Sequence, residues 1–75
     1  MTDKEKILLK FANHLTRLRE EKGLSIRQLA ASSGLEYSQV QRILKGKVNF
    51  AFTTMTSIAQ GLDVDLQELL KGFRY

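Results

Sequence analysis

A short stretch near the middle of the chain, SSGLEYSQVQRILKG, carries side chains suited to hydrogen bonding. Its apolar residues recur at the spacing of one helical face, which predicts a short amphipathic helix over about residues 36–45. The positions mostly off that face are polar: Tyr37, Ser38, Gln41, Arg42 and Lys45. These side chains reach well beyond the backbone and can donate hydrogen bonds, so they suit recognition of a surface rich in acceptors.

Catalytic chemistry has little support in the sequence. The single histidine, His14, sits among polar neighbours and is expected at the surface. There is no cysteine and the carboxylates are scattered, so no nucleophile–base pair or metal-ligand cluster can be assigned. A glycine-rich loop of the kind that cradles phosphates is also missing. We therefore expect no enzymatic activity, no metal or other cofactor and no small-molecule ligand.

Length and charge narrow the class of protein. Seventy-five residues predict a single domain over 1–75, and the absence of proline favours an all-helical fold. With no cysteine there is no disulfide, which fits a cytoplasmic protein. No apolar run is long enough to cross a membrane, and the N-terminus lacks the features of a signal peptide. The net charge of +4 favours a polyanionic partner.

Five helices are predicted, over about residues 3–22, 26–32, 36–45 and 52–61 and from residue 65 onwards. Three pairs of residues with capping-box spacing mark helix starts: Thr2 with Glu5, Ser25 with Gln28, and Asp65 with Glu68. Glycines 23, 34 and 46 follow the first three helices, as is common at helix C-termini. The apolar stripe of the fourth helix is expected to contain Phe52, Met55, Ile58, Ala59 and Leu62.

The second and third helices have the spacing of a helix-turn-helix. Ala30 lies four residues before Gly34, and Val40 lies six residues after it. A small residue allows the helices to cross closely, the glycine allows the chain to reverse, and the valine packs the second helix on the first. The segment LSIRQLAASSGLEYSQVQRILKGK resembles the helix-turn-helix of the lambda repressor/Cro (Xre) family, and the resemblance extends over about residues 11–70. It implies an all-α, five-helix DNA-binding domain, with the motif at about 25–45 and the fifth helix and a short tail at 65–75.

The resemblance also implies which residues meet double-stranded DNA. The helix that begins near Tyr37 would lie in the major groove. Base contacts would come from Tyr37, Ser38, Gln41 and Arg42, although Tyr37 is equally compatible with a place at the rim of the core. Phosphate contacts would come from Arg27, Lys45, Lys47 and Asn49. Between Ile26 and Phe52 the only acid is Glu36 against four cations, so this segment holds +3 of the net charge of +4.

Three positions depart from the family's usual pattern. Arg19 matches an arginine that commonly pairs with a glutamate near the end of the third helix, but Leu44 stands at the glutamate position. Glu36 replaces a common Ser or Thr cap; it caps poorly but suits the helix dipole. The loop before the fourth helix reads Asn49-Phe50-Ala51 instead of the usual Asn-Pro-Ser, and Phe50 either covers the core or is an exposed contact.

These observations favour a sequence-specific transcriptional regulator, which we expect to be a homodimeric repressor. The expected dimer interface consists of Leu66, Leu70, Phe73 and Tyr75, although the last residues are also compatible with a frayed tail. The alternative is a protein-interaction module or an antitoxin-like partner that keeps the fold and binds through Phe50, Phe73 and Tyr75. Lys4, Lys6 and Lys10 are interpreted as a solvated face of the first helix and not as a second DNA-binding patch.

Overall fold

The computed structural model describes all 75 residues as five helices without a strand. They are α1 (Asp3–Glu21), α2 (Ile26–Ser33), α3 (Tyr37–Leu44), α4 (Phe52–Gly61) and α5 (Leu66–Leu70). The predicted all-α class and helix order are confirmed, and the predicted helix ends differ from the observed ends by one residue where they differ. None of the helices is long and apolar enough to span a membrane.

Local hydrogen bonds fix where the helices begin. The Thr2 N–H donates to Glu5 Oε1 at 2.8 Å, and the Glu5 N–H donates to Thr2 Oγ1 at 3.1 Å. Ser25 and Gln28 form the same reciprocal pair, so two of the three predicted capping boxes are confirmed. At α5 only half of the predicted box forms, because Asp65 accepts from the Glu68 N–H at 2.7 Å without a return bond. Glu36 makes no side-chain cap, as expected.

Every helix contributes to one apolar core. The largest fully buried side chains are Leu15, Leu29, Val40, Ile43, Ile58, Leu62 and Leu69. The helix-turn-helix rests on the others: α2 packs against α3 and α4, and α3 packs against α1. Burial of these side chains is the main force that holds α3 in place, since each contributes roughly 1.5–3 kcal/mol.

A close approach joins the C-terminal ends of α2 and α4. Ser32 Oγ donates to the Gly61 carbonyl at 3.0 Å, and a Cβ at position 61 would collide with Ser33 Oγ. Gly61 is therefore needed for its lack of a side chain. This contact fixes α4 against the motif and thereby the loop that follows α3.

The structure overturns the expected surface location of His14. The side chain is only 6% exposed, and Nε2 lies 2.7 Å from the Leu69 carbonyl oxygen. The ring stacks on Phe11 at a centroid distance of 5.8 Å and lies 5.6 Å from the Phe73 ring. His14 follows Phe11 by three residues and precedes Leu18 by four, which places it beside the core stripe of α1.

The structure also shows where the two aromatic residues around the start of α4 lie. Phe50 is half-buried and stacks on Phe11 at 6.0 Å, so it covers the core. The expectation that Phe52 belongs to the inner stripe of α4 is wrong: its side chain is 65% exposed. Phe50 already occupies the space over Phe11, and the first turn of α4 leaves Phe52 in solvent.

Candidate nucleic-acid interface

The turn between α2 and α3 has the conformation that the helix-turn-helix requires. Gly34 ends α2 with φ +69°, in the left-handed region that glycine adopts without penalty. The Leu35 N–H then donates to the Ala30 carbonyl at 3.0 Å, which reverses the chain. Ala30 and Val40 are both buried where the helices meet. The roles predicted for these residues in the crossing agree with this packing.

The α3 helix presents most of the predicted base-contact residues outward. Tyr37, Ser38 and Arg42 are exposed, and Gln41 is half-buried. Val40 and Ile43, on the opposite face, are fully buried. The core therefore fixes the rotation of α3 about its axis, and with it the direction in which the polar side chains extend.

Arg27 lies beside the start of this surface. Its guanidinium carbon is 4.6 Å from the centroid of the Tyr37 ring, a cation–π distance. Tyr37 is 37% exposed, so the ring is open to a partner as well as to Arg27. Arg27 was expected to contact a phosphate and Tyr37 a base. In the structure the two side chains contact each other and thereby link α2 to α3.

The other predicted phosphate-binding residues meet at the far end of α3. Lys45, Lys47 and Asn49 line a groove of about 510 Å³ whose opposite side is the start of α1, including Lys4 and Glu5. We call this the lysine groove, after Lys4, Lys45 and Lys47. Arg27 does not line it, so the predicted phosphate contacts divide between the two ends of α3.

Glu5 is the acidic residue of the lysine groove. The hydrogen bond from the Thr2 backbone N–H holds the pKa of Glu5 below its ordinary value, and the Thr2 side chain makes a smaller contribution in the same direction. Its carboxylate therefore stays ionised and remains engaged in the cap of α1. No group of three or more acidic or histidine side chains is arranged to hold a metal ion.

Arg19 hydrogen-bonds to a backbone carbonyl, a partner that the sequence did not indicate. Its Nη1 donates to the Leu24 carbonyl at 2.6 Å, and Nη2 lies 3.9 Å from Glu20 Oε2. The guanidinium thus braces the turn between α1 and α2 in place of the missing glutamate at Leu44. Its buried Nε has no partner.

The four residues expected at a dimer interface divide into two pairs. Leu66 and Phe73 are half-buried against the protein's own core, and Phe73 meets Phe11 edge-on at 5.0 Å. Leu70 is 39% exposed and Tyr75 is 62% exposed, with Lys10 Nζ 5.7 Å from the tyrosine ring. Of these four residues, Leu70 and Tyr75 are therefore the ones whose side chains remain exposed.

A helix-turn-helix family model, HTH_3, matches residues 15–69. The chain belongs to this family. Its structure is similar to that of C.AhdI, a restriction-modification controller protein from Aeromonas hydrophila, with 39% identity and a TM-score of 0.78. The match covers 83% of this chain and 94% of C.AhdI. The resemblance to the lambda repressor/Cro (Xre) family and the predicted five-helix fold are thereby confirmed.

Two further relatives carry the name of transcriptional regulators. An HTH_3 family regulator from Vibrio cholerae has 25% identity and a TM-score of 0.81 over 89% of this chain and 38% of its own. The HTH-type transcriptional regulator DdrOP3 of Deinococcus deserti is 24% identical over 67 residues, which are 89% of this chain and 52% of that protein. The chain thus spans about half the length of this curated relative. The family places the chain among helix-turn-helix transcriptional regulators.

Proposed function

We propose that this protein is a sequence-specific regulator that binds double-stranded DNA and reads the major groove with α3. The observation that carries this proposal is the position of α3, whose polar side chains extend outward while Val40 and Ile43 anchor the opposite face. A helix of eight residues is about 12 Å long, comparable to the width of the major groove.

Base recognition falls to Tyr37, Ser38, Gln41 and Arg42. Arg42 is exposed near the end of α3 and has the planar donor pair that matches O6 and N7 of guanine. Gln41 has the donor and acceptor that match adenine, and its half-buried position limits the directions its amide can take. Each such pair discriminates against the wrong base by roughly 1–3 kcal/mol.

Phosphate contacts hold α3 at both ends. Arg27 lies at its N-terminal end, and Lys45, Lys47 and Asn49 lie at its C-terminal end. Contacts on both sides fix the register and tilt of a helix in the groove but carry no sequence information themselves. Glu36 is exposed at the start of α3, where it would repel phosphate and can accept from the amino group of cytosine.

A homodimer is the assembly that we propose on DNA. Exposed Leu70 lines an apolar groove of about 200 Å³ together with Ile7, Phe50 and Met55, and a second copy would cover it. The longest dimension of the protein is 31 Å. Half-sites one helical turn apart are separated by about 34 Å, so two copies fit side by side on one face of the duplex. Bound over a promoter in the cytoplasm, such a dimer would act as a repressor by blocking access.

Selection from a random duplex library at about physiological salt tests this proposal. An enriched palindrome would support sequence-specific binding, and its half-site spacing would report the geometry of the dimer. An enriched single half-site would support DNA reading and contradict the dimer. Uniform weak binding without enrichment would contradict the proposal.

The exposure of Phe52 favours a second candidate function, an interaction module or antitoxin-like partner. The contacts first expected for it must be revised, because Phe50 and Phe73 pack on Phe11 and only Tyr75 remains exposed. Away from α3, Phe52 and Tyr75 are then the aromatic side chains exposed to a protein partner. Duplex binding that is weak for all sequences and unaffected by Arg42→Ala would support this alternative.

A further inference from the structure

The first turn of α1 and the turn after α3 form the two sides of the lysine groove. Lys4 extends from α1, and Lys45 and Lys47 extend from the turn after α3. Asn49 lines this groove and also a neighbouring one of about 360 Å³, and Lys4 lines both of them. The structure thus brings Lys4 next to residues that are 41 or more positions away in the sequence and belong to the proposed DNA interface.

The distance between the two sides is set by backbone contact. Gly46 has φ +71°, and a Cβ built on it would lie 2.9 Å from the Leu9 Cα. No side chain therefore separates the turn from α1. The turn itself is closed by hydrogen bonds from the Gly46 N–H to the Ile43 carbonyl at 3.0 Å and from the Lys47 N–H to the Arg42 carbonyl at 3.0 Å. The backbone at Lys4 consequently keeps a defined position relative to the backbone of the turn that carries Lys45 and Lys47.

The lysines of the groove lack acidic partners. The one ion pair in the molecule joins Arg19 and Glu20 at 3.9 Å, away from the groove. Glu5 also lines the groove, but its carboxylate already accepts from the Thr2 N–H. With three lysines and one carboxylate among its lining residues, the groove carries a net positive charge, which attracts a phosphate.

We propose that Lys4 binds a backbone phosphate of the same duplex that α3 reads, and that the DNA interface therefore extends onto the start of α1. This inference rests on the proposed function and deepens it. It also assigns Lys4 a role different from that of Lys6 and Lys10, which the sequence had placed with it on one solvated face of α1. Lys6 does not line the groove, and Lys10 lies near Tyr75 on another face of α1.

Salt dependence of binding tests the role of Lys4, with Lys6 as the matched control. The dissociation constants of the unaltered protein, Lys4→Gln and Lys6→Gln are measured on the selected duplex between about 50 and 200 mM salt. Each phosphate contact contributes about 0.9 to the slope of log affinity against log salt. We expect Lys4→Gln to lower the slope by about that amount and to weaken binding to all sequences by the same factor, while Lys6→Gln leaves the slope unchanged.

The outcomes separate this inference from the function on which it rests. A slope for Lys4→Gln that equals that of Lys6→Gln overturns the inference, while selective binding by the unaltered protein leaves the proposed function standing. Loss of sequence discrimination in Lys4→Gln also overturns it, because a phosphate contact carries no base information. Absence of any selected duplex overturns both. Equal thermal unfolding midpoints of the two variants confirm that folding is intact.

Discussion

The guanidinium of Arg27, on α2, rests 4.6 Å from the centre of the Tyr37 ring, at the start of α3. The ring restricts the orientations open to a long and otherwise flexible side chain. A cation held in this way loses less conformational freedom when it binds a phosphate. We therefore expect Tyr37 to have a role in DNA binding that needs its aromatic face, in addition to any contact of its hydroxyl group with a base.

Replacement of Tyr37 by Phe and by Ala separates these two roles. If the ring positions Arg27, Tyr37→Ala weakens binding to the selected duplex by about 0.5–1 kcal/mol more than Tyr37→Phe does. Fluorescence anisotropy on a labelled duplex measures both. In the Arg27→Ala background the Tyr37→Ala loss should largely disappear, because there is no cation left to position. Equal losses for Phe and Ala would show that the hydroxyl group acts directly.

Arg42 is expected to read one base pair. Arg42→Ala should weaken binding to the selected site by roughly 1–3 kcal/mol and should relax the preference at a single position. Repeating the library selection with the variant measures both effects. If the base preferences stay unchanged at every position, α3 does not read DNA through Arg42.

Lys47 is expected to contact a phosphate and not a base, so Lys47→Ala should behave differently from Arg42→Ala. The side chain is exposed in the lysine groove, so its loss should weaken binding to all sequences alike. The slope of log affinity against log salt should fall by about one. A titration over a range of salt concentrations, on the selected duplex and on a scrambled one, checks this. An unaltered slope would remove Lys47 from the interface.

The sequence correctly predicted the features that involve residues close together in the chain. The capping boxes of Thr2 and Ser25 join residues three positions apart, and Gly34 marks its turn by its own backbone conformation. Such features depend on few atoms and appear directly in residue spacing. The helix-turn-helix was predictable for the same reason, since Ala30, Gly34 and Val40 lie within one short segment.

Features that depend on distant parts of the chain were not predictable. His14 is buried because the Leu69 carbonyl, 55 residues away, accepts its hydrogen bond, and because Phe73 covers it. Phe50 packs over Phe11, whereas Phe52 is exposed, and the sequence pattern of α4 does not distinguish the two. The lysine groove exists because the turn at Gly46 touches α1, a contact that residue spacing within one helix cannot show.

The buried His14 should contribute to stability. His14→Ala removes the partner of the Leu69 carbonyl and leaves a cavity beside Phe11, so we expect a loss of roughly 2–4 kcal/mol in the free energy of unfolding. Urea denaturation followed by circular dichroism measures it. Asn13→Ala, at an exposed position of the same helix, should change stability by less than about 0.5 kcal/mol. Similar values for both variants would place His14 in solvent.

Two glycines with the same backbone conformation test the contact between α1 and the turn after α3. Gly23 and Gly46 both have φ +71°, but a Cβ at Gly23 would meet nothing within 4 Å, whereas one at Gly46 would lie 2.9 Å from the Leu9 Cα. Alanine at either position carries the cost of a left-handed conformation, roughly 1–2 kcal/mol. Gly46→Ala should cost at least about 1 kcal/mol more, because a backbone atom cannot rotate out of the way.

Urea unfolding midpoints of the two variants measure this difference. The excess loss in Gly46→Ala would establish that α1 and the turn are in contact in solution, which is the condition for Lys4 to share phosphates with Lys45 and Lys47. Because the clash displaces one side of the groove from the other, the folded fraction of Gly46→Ala should also show a reduced salt slope on DNA, while Gly23→Ala keeps the full slope. Equal destabilisation of the two variants would mean that the groove opens in solution and that its lysines act independently.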